Sequence, residues 1–203
     1  MLIWLDKIQC MTWKYLHKQW IVDIPREEIL TGIKERKNDL VHAAQEYTRV
    51  TSTKKLSAIR VTFGELIFNI ACLANSYGKI DTKKWSPRTV SLDEVVLNIP
   101  SCYASYQERS DILDRSLQKV EYKLHSPIRN ISAIKHSIWV LLVATDSFVR
   151  IASQNPYSEN GYPEIDTTHA FALAMHQKNR QHNSTPTPPA HTLEMPILES
   201  HPV

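Results

Sequence analysis

The chain has 203 residues, with 22% charged side chains and 42% hydrophobic ones, a composition typical of a soluble globular protein. A formal net charge of +3 is too small to indicate nucleic-acid binding by itself, and four glycines are too few for a Gly-rich phosphate loop or a turn-rich all-β fold. The three cysteines have no paired spacing, and no apolar run reaches the roughly 20 residues of a membrane span. We therefore predict a cytoplasmic protein without a membrane partner.

Apolar residues recur at helical spacing along most of the chain and predict an all-α fold. The second helix is expected to begin at Pro25, because proline is favoured at the first helical position. The segment Trp139–Ala144 is apolar on every side and predicts a central helix. In chain order, the predicted helices span residues 2–20, 25–47, 55–77, a short stretch from Ser91 to just before Pro100, 101–124, 127–154 and 167–181.

Residues 182–203 differ in composition from the rest of the chain, since they contain five of its eleven prolines. They hold too few apolar residues to offset the conformational entropy that is lost on ordering. The sequence therefore predicts a single helical domain over residues 1–181, followed by a disordered tail over residues 182–203.

The two halves of the helical region resemble each other when one is shifted by 75 residues. Ile24-Pro25 then falls on Ile99-Pro100, and Ser57-Ala58-Ile59 falls on Ser132-Ala133-Ile134. This similarity predicts a tandem duplication of a two-helix unit, with repeats at about 21–77 and 96–154. Each unit would bury its apolar face against its copy, which gives a helical bundle in the form of a pseudo-dimer. A homo-oligomer formed through the bundle is left open.

Three carboxylates of the first repeat are candidates for one site. Glu35 and Asp39 share a stripe of the second predicted helix, and Glu65 stands at the head of the apolar run of the third. If the two helices pack antiparallel, these acids converge. Three converging carboxylates need a cation, and hard oxygen ligands of this kind suit Mg²⁺ together with a substrate phosphate.

The same residues resemble a known family. The stretch 64-GELIFNIACLANSYGKID-81 is similar to the second motif of the MazG-like all-α nucleoside triphosphate pyrophosphohydrolases, and 35-ERKNDL-40 aligns with their upstream acidic motif. The resemblance covers residues 25–81. It implies Mg²⁺-dependent hydrolysis of a nucleoside triphosphate to the monophosphate and pyrophosphate, with Glu35, Asp39 and Glu65 in catalysis and Asp39 and Glu65 as metal ligands.

The chain departs from the family pattern at several positions. Arg36 stands where the second glutamate of the upstream motif is expected, while Thr62 replaces an acid and Cys72 an asparagine of the second motif. The shifted copy supplies Asp111 and Asp114 as further candidate metal ligands. Arg36 lies near the apolar stripe of its helix, so we expect it either to pair with an acid or to bind the substrate's phosphate.

Two alternative functions follow from the same sequence. Because the acidic motifs are incomplete, the helical module could bind a nucleotide or a protein without catalysis. Separately, 129-RNISAIKH-136 resembles the Arg-x4–6-His motif of HEPN-type ribonucleases. That resemblance implies that Arg129 holds a phosphate and that His136 moves a proton.

Overall fold

A computed structural model describes residues 3–18, 24–80, 106–128, 130–153 and 165–184. All of the regular elements in these ranges are α-helices, which confirms the all-α prediction. The predicted short helix from Ser91 lies outside the described residues. The helices are α1 (Ile3–Lys18), α2 (Arg26–Arg49), α3 (Thr53–Asn75), α4 (Tyr106–His125), α5 (Ile131–Ala152) and α6 (Thr167–Ser184).

Four of the helices form an antiparallel bundle. The pairs α2–α3 and α4–α5 are helical hairpins with short connections. The two hairpins meet through α2 and α4, where Lys34 pairs with Glu121 at 3.0 Å. They also meet through α3 and α5, where the Lys135 ammonium donates to the Lys79 carbonyl at 2.9 Å. Each helix is therefore antiparallel to both of its neighbours, as expected for a four-helix bundle.

Helix α3 lies at the centre of the protein, because α1, α2, α5 and α6 all pack against it. Its length and composition would also allow it to cross a membrane, with a mean hydropathy of 1.5. However, 61% of that segment is buried by the surrounding helices. A buried core helix passes the same test, so this finding does not indicate a membrane span.

The starts of two helices are fixed by side-chain caps. Ser52 accepts a hydrogen bond from the Lys55 amide at the start of α3, and Asn130 accepts one from the Ala133 amide at the start of α5. These caps satisfy backbone donors that have no partner within the helix. The predicted start of the fifth long segment at Pro127 was therefore wrong, since Asn130 delays the helix to Ile131.

A glycine allows α6 to approach α3 closely. A Cβ atom added to Gly64 would lie 2.1 Å from the Ala170 carbonyl oxygen and 3.0 Å from the Ala174 Cβ. No side chain larger than hydrogen fits there without a backbone shift. Gly64 thus sets the distance between the two helices, and with it the position of every side chain that α6 presents to α3.

The bundle topology is the one that a pseudo-twofold axis between the hairpins would produce, although the duplication itself remains a prediction. The 75-residue shift places Gly64 on Trp139, which is large and buried at 3% exposure. Trp139 cannot permit the close helix approach that Gly64 permits. The two proposed repeats therefore differ at the contact that holds α6.

The last helix is longer than predicted. It continues through Ser184, three residues beyond its predicted end at residue 181. Residues 185–203 lie outside the described residues.

We expect the segment after Ser184 to be dispensable for folding. Deletion of residues 185–203 should change the melting temperature by less than about 2 °C, which corresponds to less than about 1 kcal/mol for a domain of this size. Thermal unfolding followed by circular dichroism measures the change. A drop of more than about 5 °C would show that Leu193, Met195 and Ile197 stabilise the helical body.

Candidate functional site

Two of the three acidic positions predicted from the first repeat flank an arginine, while the third, Glu35, does not pair with it. The Arg36 guanidinium lies 2.8 Å from the Asp39 carboxylate and 3.2 Å from the Glu65 carboxylate. The antiparallel packing of α2 and α3 thus brings Asp39 and Glu65 to one point, as expected. The cation between the two acids is the Arg36 guanidinium, which confirms that Arg36 pairs with an acid. The same ion pair explains why a carboxylate, Glu65, stands at the head of an apolar segment.

The candidate ligands of the second repeat lie elsewhere. Asp114 pairs with the Lys37 ammonium at the contact between α2 and α4, and Asp111 accepts a hydrogen bond from Gln107 within α4. The described contacts do not bring either of them to the group formed by Arg36, Asp39 and Glu65, which we call the Arg36 cluster. Asp111 and Asp114 therefore have structural partners of their own.

The described residues contain no group of three or more His, Cys, Asp or Glu side chains that could hold a metal ion. Thr62, at an acidic position of the family motif, donates its hydroxyl to the carbonyls of Ala58 and Ile59 in its own helix. Asp39 and Glu65 each form an ion pair with Arg36. The described residues thus provide no set of side chains that could bind a Mg²⁺ ion without ligands from a substrate.

A groove of about 830 Å³ lies beside the Arg36 cluster, within the usual range for small-molecule sites. We call it the α2–α3 groove, since those two helices form its floor, while α1 and α6 form its walls. Its lining residues are Tyr15, Leu16, Ile24, Glu28, Ile29, Thr31, Gly32, Glu35, Arg36, Phe68, Asn69, Cys72, Lys178 and Gln181.

The groove contains charges of both signs. Glu28 and Glu35 lie two helical turns apart on α2, and neither has a hydrogen-bond or ion-pair partner in the described chain. Lys178 of α6 places its ammonium 4.8 Å from the centre of the Phe68 ring, a cation–π contact. Together with Arg36, these groups give the groove two acidic and two basic side chains.

The floor of the groove supplies a polar amide between apolar residues. Asn69 is half-buried and makes no side-chain hydrogen bond in the described chain. Its Nδ2 atom faces Gly32 and would lie 3.1 Å from a Cβ atom added to that glycine. Burial raises the pKa of the neighbouring Cys72 thiol to about 12, so this group stays neutral near pH 7. Burial also raises the pKa of the Tyr15 hydroxyl. The Asn69 amide is thus a polar group of the floor that has no hydrogen-bond partner in the described chain.

Sequence patterns had indicated only part of this site. Glu35 and Arg36 were candidate residues, and Asn69 and Cys72 lie on the same stripe of α3 as Glu65. Tyr15 and Lys178 were missed, because nothing in the sequence predicts that α1 and α6 pack on either side of α3. The only available signal was Gly64, whose lack of a side chain permits the approach of α6.

The residues of the ribonuclease alternative are only partly described. Arg129 lies outside the described side chains. His136 stacks on Trp139 with the ring centres 5.9 Å apart. The histidine is half-buried at the start of α5, away from the residues that line the groove.

We expect the variant Arg36→Glu to gain a divalent-cation site. The substitution removes the guanidinium and adds a carboxylate beside Asp39 and Glu65, so that a metal ion can take the place of the lost cation. Calorimetric titration with Mn²⁺ should show binding at least about tenfold tighter than in the wild type, or about 1.4 kcal/mol. Arg49→Glu, which also removes an arginine paired with an acid on α2, is the matched control. Equal Mn²⁺ affinity in both variants would contradict the assignment.

Comparisons with known proteins give no relative from which a function could be transferred. No family model matches this chain, and no curated protein and no solved structure matches it.

Proposed function

We propose that the chain is a helical module that binds a nucleoside triphosphate with its Mg²⁺ ion in the α2–α3 groove and does not hydrolyse it. The observation that carries the proposal is the position of Arg36. It lines the groove, and it also forms ion pairs with the two acids that hydrolysis would need as metal ligands.

The binding part of the proposal is supported by the chemistry of the groove wall. Tyr15 and Leu16, both half-buried, offer apolar surface to a base or sugar, and the free amide of Asn69 can both donate and accept a hydrogen bond. Lys178 and Arg36 supply positive charge for phosphate oxygens. The groove thus combines an apolar body with a few convergent polar groups, as ligand sites commonly do.

The unpaired acids fit a metal ion that arrives with the nucleotide. Mg²⁺ usually keeps several waters and is held by one or two carboxylates together with substrate phosphates. Glu35, assisted by Glu28, would supply such carboxylates, so a complete protein cage is unnecessary. The ion would screen the phosphate charge against the acidic groups of the groove.

The absence of hydrolysis follows from the Arg36 cluster. In addition to the Mg²⁺ ion that arrives with the nucleotide, hydrolysis would need a metal ion on Asp39 and Glu65 that lowers the pKa of the attacking water. Asp39 and Glu65 are held by a guanidinium instead. Bound nucleotide would therefore remain intact.

The test is equilibrium binding of a panel of ribo- and deoxyribonucleoside triphosphates, measured by calorimetry with Mg²⁺ and with EDTA. We expect Mg²⁺-dependent binding of at least one nucleotide. Glu35→Gln should weaken that binding about tenfold, while Glu27→Gln should change it less than about twofold. Glu27 is the matched control, because it lies on α2 but outside the groove, near His125. If no nucleotide binds, or if both variants bind like the wild type, the proposal fails.

Pyrophosphohydrolase activity is the second candidate, and one observation favours it. Because Arg36 lines the groove, a triphosphate that attracts its guanidinium would compete with Asp39 and Glu65 for that cation. Release of the two acids would leave them available to a metal ion. In that case Asp39→Asn and Glu65→Gln should each reduce turnover at least about tenfold.

A further inference from the structure

Two neighbouring helices, α1 and α6, carry more basic than acidic side chains. From Lys7 to Lys18, α1 contains no Asp or Glu, and α6 contains none along its entire length. The two helices are neighbours, since both line the walls of the α2–α3 groove and contact each other. The described side chains of α1 and α6 thus include basic residues but no acidic ones, although the net charge of the chain is only +3.

The outer side of α1 carries three aligned lysines. Lys7, Lys14 and Lys18 are all exposed, and their spacing puts them within one narrow stripe of the helix. The stripe extends about 17 Å, from a rise of about 1.5 Å per residue. None of the three lysines has an acidic partner in the described chain. Their charges are therefore available to an anionic partner.

An exposed aromatic side chain, Trp13, projects from α1 about 100° around the helix from Lys14. Trp13 is 53% exposed, and one side of its ring contacts His17 at a centroid distance of 4.0 Å. Buried residues of α1 such as Ile8 and Thr12 face the opposite direction, into the bundle. The outer face of α1 thus combines one large exposed indole with a row of cations.

We infer that this face, formed by Lys7, Trp13, Lys14, His17 and Lys18, binds a single-stranded nucleic acid. The lysines would contact consecutive phosphates, and an unpaired base would stack on Trp13. A double helix fits less well, because its bases are already stacked on one another. An anionic membrane also fits less well, because an interfacial helix inserts a broad apolar face, and the apolar side of α1 is buried in the bundle.

The experiment is a titration of fluorescein-labelled 12-nucleotide oligouridylate with the full chain, followed by fluorescence anisotropy. We expect saturable binding in about 50 mM salt that weakens roughly 20-fold at about 200 mM, for about three phosphate contacts. Trp13→Ala and the double variant Lys14→Glu/Lys18→Glu should each weaken binding at least about tenfold. Melting temperatures establish that every variant is folded.

Two matched controls separate this face from a general effect of charge or aromatic surface. Tyr122→Ala removes an aromatic ring that is 69% exposed on α4, and Lys54→Glu reverses an exposed lysine at the start of α3. Both should bind the oligonucleotide within about twofold of the wild type. Equal weakening by Lys54→Glu and the Lys14/Lys18 variant would overturn the inference. So would binding to phosphatidylcholine–phosphatidylserine vesicles without any binding to the oligonucleotide.

Discussion

Replacement of Gly64 by alanine is expected to lower the free energy of unfolding by about 2–3 kcal/mol. The added methyl group would meet the Ala170 carbonyl oxygen, which belongs to the backbone and cannot rotate away. The helix propensity of alanine offsets only about 1 kcal/mol of this strain. Thermal unfolding should show a decrease in melting temperature of roughly 4–12 °C.

Gly32→Ala is the matched control for this prediction. Its added methyl group would approach the end of the Asn69 side chain at 3.1 Å, which can move by rotation. We expect its melting temperature to stay within about 3 °C of the wild type. Gly64→Ala should also weaken nucleotide binding, because α6 carries Lys178 into the groove. If the two glycine variants are equally stable, α6 does not pack on α3 as described.

Loss of the Asp146 carboxylate is expected to have the second large effect on stability. Asp146 is 4% exposed, accepts a hydrogen bond from the Thr167 hydroxyl at 2.8 Å and pairs with Arg150 at 2.9 Å. The variant Asp146→Ala leaves the buried Thr167 hydroxyl without this acceptor. We expect a loss of about 2–3 kcal/mol, measured by urea unfolding.

Asp39→Ala provides the comparison, because Asp39 also pairs with an arginine but is 48% exposed. Its removal should cost less than about 1 kcal/mol, as is usual for solvent-exposed ion pairs. Thr167 is the first residue of α6, so the Asp146 contact ties the start of that helix to α5. Equal losses in the two variants would mean that Asp146 is not buried between α5 and α6.

Helical periodicity was sufficient to predict the fold class, because long amphipathic segments determine both the type of element and its buried face. Helix boundaries were less accurate. The sequence offers both Pro127 and Asn130 as possible starts of α5. The structure uses Asn130, which caps the helix by accepting a hydrogen bond from the Ala133 amide. The crossing of α6 over α3 at Gly64 was not predictable, since a glycine within a helix does not indicate which other helix packs against it.

The candidate site was predictable only where it lies within one hairpin. The convergence of Asp39 and Glu65 follows from the antiparallel packing of α2 and α3, and the pairing of Arg36 follows from its position near the apolar stripe. The contribution of Lys178 depends on packing between helices more than 100 residues apart in the chain. Contacts of that kind carry no local sequence pattern.

Our proposal is that the α2–α3 groove holds a nucleotide intact, because Arg36 neutralises the two acids that hydrolysis needs, Asp39 and Glu65. It is tested most directly under single-turnover conditions, with protein in excess over each radiolabelled nucleoside triphosphate in the presence of Mg²⁺. Filter retention measures the bound nucleotide, and chromatography of the same sample measures the monophosphate. We expect retained nucleotide to be recovered as the triphosphate. Formation of monophosphate and pyrophosphate that is lost in Asp39→Asn and in Glu65→Gln would contradict this account.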